Sequence, residues 1–179
     1  MSIPGGWVAD KFIGQKKAVM LGGLLLCAGH GILAVDAEWA FFTGLILIVV
    51  GVGFLKPNIS TMVGGLYQKG DNKRDTGFYI FYMGINIGAF LGALTVGAVA
   101  AKYGWHYGFG LAGIGMAIGQ LVYFYGLQYL EGVGEFIGSD KSPDKELMNK
   151  PLTKIEKDRM LVMFLSFLFL FLYILILRF

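Results

Sequence analysis

FFTGLILIVVGVGFLKPNISTMVGGLY, residues 41–67, is apolar along nearly its whole length and carries one charge, Lys56. A hydrocarbon core of about 30 Å is crossed by about 20 helical residues, so this stretch is long enough to span a bilayer. An ammonium in hydrocarbon costs roughly 2.5–3.5 kcal/mol on insertion scales; such a group faces a bundle interior or a water-filled path and has a partner there. Pro57 follows it. A proline lacks the backbone N–H and frees a carbonyl about one turn earlier, a break tolerated where helices line a cavity. Lys56 lies deeper than Asn58, and the bland alternative for it is snorkelling of its stem to the interface. The sequon formed by Asn58, Ile59 and Ser60 is accidental at membrane depth.

The rest of the chain extends this picture. Hydrophobic residues make up 56% of the 179 and charged residues 15%, with a mean hydropathy of +0.65, too apolar for a soluble domain of this length. The expected fold is all-α, a polytopic helical bundle in a membrane. About five spans are predicted, at 18–35, 39–66, 77–101, 106–130 and 160–177. The N-terminal MSIPGGWVADK has no basic segment followed by an apolar one, so it is not a secretory signal; it is expected to be the tail of a helix that begins upstream. Cys27, the lone cysteine, sits in an apolar span, which leaves packing as its role, with no intramolecular disulfide and no metal site. No cofactor is expected.

Placing successive loops on alternate sides collects Lys11, Lys16, Lys17, Lys69, Lys73, Arg74 and the basic residues of 141–159 on one side. Lys102 and Arg178 fall on the other, with Asp36 and Glu38. The positive-inside rule makes the first side cytoplasmic. The net charge of +3 is then a topology signal, and nucleic acid is not an expected partner. The polar stretch 131–158, with Pro143 and Pro151, is long enough to link two bundles. Within it Thr153 and Glu156 have capping-box spacing, which predicts a helix beginning near Lys154.

Gly84, Gly88 and Gly92 recur every four residues, and Gly115 and Gly119 repeat the spacing; both faces are expected to let a neighbouring backbone approach closely. On the same helix as the first set, Tyr82 and Asn86 lie about 40° apart, with Phe78 beside them. A lone Asn also serves as an interhelical hydrogen-bonding group, but its pairing with Tyr82 favours a pathway face. In the charged loop 5–17, Asp10 is placed to accept from a nearby helix N-terminus.

At these residues the chain resembles a known family. The pattern from Gly6 through Asp10, Lys11 and Gly14 to Lys16 resembles the loop between the second and third helices of the major facilitator superfamily. GVGFLKPNISTMVGGLY and FYIFYMGINIGAF, at 51–67 and 78–90, resemble signatures of the proton-dependent oligopeptide transporter family. The resemblance implies two six-helix bundles with substrate held between them, and alternating access that couples proton entry to di- and tripeptide uptake. It makes 1–130 a partial N-terminal bundle, from the end of helix two to helix six. On the same basis 131–158 is the cytoplasmic inter-bundle linker and 159–179 the first helix of the second bundle.

Carried over, Lys56 is similar to the lysine that binds the peptide carboxylate. Asn86 resembles the asparagine near the peptide amino terminus, and Tyr82 and Ile85 resemble lining residues. Gly6, Asp10, Lys11 and Gly14 resemble a gating loop whose aspartate latches the bundles. The implied partners are di- and tripeptides, protons and the lipid bilayer, and the implied location is the cell membrane, as a multi-pass protein.

The departures are equally specific. The first helix, with its glutamate- and arginine-containing motif, is absent, and no acidic residue lies inside a predicted span. The proton-carrying carboxylates are therefore not expected in this chain. LYILILRF stands where a tryptophan- and glutamine-containing sequence is expected, and a truncated, frameshifted or fragmentary gene product is the expectation. A carrier of nitrate or another small solute, and an inactive membrane fragment or interaction partner, are the alternatives. An enzyme is not expected: His30 and His106 have no carboxylate or nucleophile at helical spacing.

Overall fold

In the computed structural model the described residues are 2–68, 70–136, 154–155, 157–158 and 161–162. The chain divides into two compact units, Met1–Lys145 and Glu146–Phe179. In the second unit Lys154, Ile155, Lys157, Asp158, Leu161 and Val162 are helical. Thr153 and Glu156 of the predicted capping box and the rest of the fifth predicted span lie outside the described residues.

The first unit is helical throughout its described elements. Helix α1 (Ser2–Val8) runs into one turn of π-helix (Ala9–Ile13), followed by α2 (Gln15–Leu33), α3 (Glu38–Gly65), α4 (Lys73–Tyr103) and α5 (Trp105–Gly126). A 3₁₀ turn (Leu127–Leu130) closes α5. Helices α2 to α5 are each long and apolar enough to cross a membrane, as the hydropathy predicts. The helix starts differ from the expected ones because polar residues extend them past the apolar run. Helix α4 begins four residues before the predicted start, its Lys73 amide donating to Asp71 Oδ1 at 2.8 Å. At the head of α2, Gly14 has φ +81°, a conformation that glycine adopts without penalty, and it ends the π turn by donating to the Ala9 carbonyl at 2.7 Å.

The core is the antiparallel α2–α3 pair, into which Val19, Leu26, Leu33, Ala40 and Met62 are buried. In lipid the apolar surroundings give helices no hydrophobic reason to associate, so close van der Waals packing and small residues hold them. Two glycine pairs at seven-residue spacing do this. A methyl group on Gly22 would stand 2.7 Å from the Gly51 carbonyl oxygen, and one on Gly51 would stand 2.8 Å from that of Gly22. Gly29 and Gly44 repeat the arrangement one heptad further out, at 3.0 and 2.9 Å. Helix α5 lies on α2, its Gln120 Nε2 donating to the Met20 carbonyl at 3.1 Å and its Tyr123 hydroxyl to the Lys16 carbonyl at 3.0 Å.

The expected close approach at Gly84, Gly88, Gly92, Gly115 and Gly119 is not seen: among the described residues nothing lies within 4 Å of a Cβ built at any of them. Helix α4 meets α5 near its outer end, where Gly108 fits against Val96 and Ala100, and meets α3 near its inner end, where Phe78 faces Gly64. Its middle therefore touches neither neighbour on the glycine face.

Candidate substrate pathway

Lys56 lies on α3 immediately before the proline. Its side chain is exposed, and among the described residues it has no ion-pair partner. Its carbonyl accepts from Ser60 Oγ at 3.1 Å, and the Pro57 carbonyl accepts from Thr61 Oγ1 at 3.0 Å. Because Pro57 has no N–H, the Gly53 carbonyl loses its usual partner one turn along. Gly5 of α1 packs directly against that carbonyl, a contact only a residue without Cβ permits. Next to it Asn58, 2% exposed, donates from Nδ2 to the Phe54 carbonyl at 2.6 Å and to the Gly5 carbonyl at 3.5 Å. The Lys-Pro-Asn run thus divides its labour: Asn58 faces inward and ties α1 to α3, while Lys56 faces out.

On α4, Tyr82, Ile85 and Asn86 are all exposed. Asn86 Nδ2 donates to the Tyr82 carbonyl one turn back at 2.9 Å, so the hydrogen bond joining the pair is intrahelical. Tyr82 stacks on Phe78, ring centroids 6.3 Å apart, and Arg74 lies over the other aromatic of that stack, 5.9 Å from the Phe78 centroid.

The inner ends of α3 and α4 enclose a cavity of about 580 Å³ lined by Ser60, Thr61, Gly64, Gly65, Tyr67, Arg74 and Phe78. Lys56 sits one turn above Ser60 on the face that lines it, and Tyr82 one turn above Phe78. Neither of the two predicted residues is among those that line the cavity. No direct contact joins them among the described residues.

Around the charged loop, Asp10 accepts from the side chain of Gln15, the first residue of α2, at 3.4 Å. This corrects the expected bond to a helix-end amide, since Gly14 occupies the cap position and no side chain caps α2. Lys11 Nζ lies 5.1 Å from the Trp7 ring centroid and 5.8 Å from that of Phe12. Gly6 rests near Pro57 and Gly14 against Phe136.

Sequence patterns did not show how the segment after α5 returns to this end of the bundle. The Gly134 carbonyl accepts from the Lys16 amide at 3.0 Å, one of the orphan donors of α2's first turn. Lys16 Nζ pairs with Glu135 Oε1 at 2.6 Å, the side chains 17% and 33% exposed. No sequence spacing signals a pair separated by more than a hundred residues.

Residues 16–143 match the family model described as PTR2: POT family. The chain belongs to the POT family. A relative, the Di-/tripeptide transporter of Lactococcus lactis subsp. cremoris, is 47% identical over 135 residues, 74% of this chain and 27% of its own length. The Uncharacterized transporter YclF of Bacillus subtilis (strain 168) is 48% identical over 123 residues, 68% of this chain and 25% of its length. The crystal structure of peptide transporter POT in complex with sulfate superposes with a TM-score of 0.74 at 41% identity, covering 97% of this chain and 34% of that one. A POT family transporter in complex with a thioalcohol-conjugated peptide gives 0.73 at 35% identity, covering 98% and 34%. The chain thus spans about a quarter of the length of these curated relatives. It is a multi-pass membrane protein of a transporter family.

Proposed function

We propose that this chain supplies part of a proton-coupled di- and tripeptide symporter of the cell membrane, working by alternating access. The observation that carries this reading is a lysine with no ion-pair partner among the described residues, one turn above the cavity between α3 and α4, in a chain 47% identical to a di-/tripeptide transporter over 135 residues. A peptide is a zwitterion, and a site for it needs a cation and a separated acceptor with few competing partners. Lys56 supplies the cation for the carboxylate, the Asn86 amide oxygen the acceptor for the amino terminus, and Tyr82 and Ile85 line the space between. Asp10, with Gly6, Lys11 and Gly14, forms the gating loop at the cytoplasmic end. Residues 1–130 belong to one bundle, 131–158 to a linker and 159–179 to the start of another.

A chimera tests this. Residues 16–143 replace the matching segment of the Lactococcus lactis di-/tripeptide transporter, and proton-driven dipeptide uptake is measured in proteoliposomes. Uptake is expected in the chimera and lost in its Lys56→Ala form. A chimera that is monodisperse and inserted but takes up no dipeptide, or that works equally well without Lys56, overturns the proposal.

A further inference from the structure

We infer that Arg74 is a second carboxylate-binding station, in the cavity between the inner ends of α3 and α4, which takes the carboxylate of a peptide after it leaves Lys56. The inference rests on the peptide reading of Lys56 and adds to that pathway a group to which no sequence motif points.

Arg74 alone is charged among the described residues that line the cavity. The hydroxyl hydrogens of Ser60 and Thr61 go to the carbonyls of Lys56 and Pro57, so these side chains offer the cavity lone pairs. The donors left are the Tyr67 hydroxyl and the guanidinium, whose five N–H groups form a planar fork that matches a carboxylate. The Arg74 side chain is exposed, and no carboxylate among the described residues lies within ion-pairing distance of it. Asp71 is engaged, its Oδ1 accepting the Lys73 amide at 2.8 Å. Asp75 stands in the first turn of α4, about 100° round the helix from Arg74.

The guanidinium is nevertheless held in place. It lies 5.9 Å from the Phe78 centroid, Phe78 stacks in turn on Tyr82, and a methyl group on Gly64 would stand 3.3 Å from Arg74 Nη2. Contact through the ring face leaves the N–H edge of the fork free for an anion. The Gly64 contact also fixes its level. Gly64 lies eight residues beyond Lys56 on α3, about 12 Å along the axis. An extended dipeptide is about 7 Å long, so the two cations serve successive positions of one carboxylate. A solute that must leave needs sites that are multiple and weak enough to release it, and Arg74 gives the carboxylate a next partner on the way from Lys56 to the expected cytoplasmic side.

Two measurements separate this station from the reading it rests on. In the first, the 179-residue chain carrying Cys27→Ser and Ser60→Cys sits in phosphatidylcholine nanodiscs, and an anionic methanethiosulfonate labels the cavity thiol, with Thr61→Cys as a second reporter. Millimolar dialanine is expected to slow labelling several-fold, and dialanine amide, which lacks the carboxylate, to leave it unchanged. Arg74→Gln removes the protection and Arg74→Lys retains part of it. Protection that survives Arg74→Gln, or that the amide gives equally, overturns the proposal. So does protection by added phosphatidylglycerol with none by dialanine, which would make this an anionic-lipid site. In the second, Arg74→Gln in the chimera is expected to lower the maximal rate of dialanine uptake several-fold and to leave the KM for outside dialanine near its original value, because loading falls to Lys56. Uptake indifferent to Arg74→Gln overturns the proposal and leaves the Lys56 reading standing. A chimera without uptake counts against the Lys56 reading, and the labelling still decides whether Arg74 binds a carboxylate.

Discussion

Lys56 and Asn58 are two residues apart, yet a turn of about 200° separates their side chains on the helix. Asn58 satisfies two carbonyls and buries itself; Lys56 meets solvent beside the α3–α4 cleft. Their substitutions should behave oppositely. An interhelical polar contact in lipid is worth about 0.6 kcal/mol on average and up to about 1.7, so Asn58→Leu is expected to lower the stability of the chain by that order, measured by thermal unfolding in detergent. Lys56→Met removes a charge that contributes no pairing among the described residues, and the same measurement should show stability unchanged or raised. A large loss on Lys56→Met would mean that the ammonium holds the fold and not a ligand.

At the level of elements, glycine spacing alone did not reveal which helices touch. The four-residue repeat on α4 and α5 is the more obvious pattern, but contact falls on the seven-residue pairs of α2 and α3, Gly22 with Gly51 and Gly29 with Gly44. In an antiparallel pair, position i meets a partner whose number falls as i rises, so a matched repeat on both helices is required. Helix α4 has its repeat, but among the described residues nothing packs on it. Forcing a larger side chain into a packed interface costs about 1–3 kcal/mol. Gly22→Val and Gly51→Val should each lower the melting temperature of the purified chain, whereas Gly88→Ala should leave it unchanged or raise it, since alanine is the better helix former. Equal effects at both places would show that the α2–α3 contact is not the seam of this unit.

Over the whole molecule, the basic loops of the first unit gather at one end, which the lysine bias makes the expected cytoplasmic side. The π turn, the α3–α4 connection and residues 133–136 gather at one end, joined by the Lys16–Glu135 pair, and Asp36 and His106 mark the other. Cys27 is the single cysteine, so a Cys27→Ser background makes this measurable. A membrane-impermeant maleimide applied to intact cells should label Asp36→Cys and leave Gln68→Cys unlabelled until the membrane is broken. The reverse pattern would invert the bundle.

The sequence by itself determined the apolar helices α2 to α5 and the family, and set an expected sidedness, because each rests on properties local to the chain. Span length follows from apolar runs, orientation from the loops' basic residues, and kinship from Lys56, Asn86 and the motifs around them. Only the tertiary structure decided who meets whom: Asn58 with Gly5, Gly22 with Gly51, Lys16 with Glu135 and His106 with Asp36. The last pair is 70 residues apart along the chain and has no periodicity to betray it. His106 lacks a carboxylate at helical spacing, which discounted it in sequence; a turn from another element brings one. Helix formation satisfies backbone groups within a segment, so it is written locally, whereas pairing depends on how rigid helices cross, which no single segment contains.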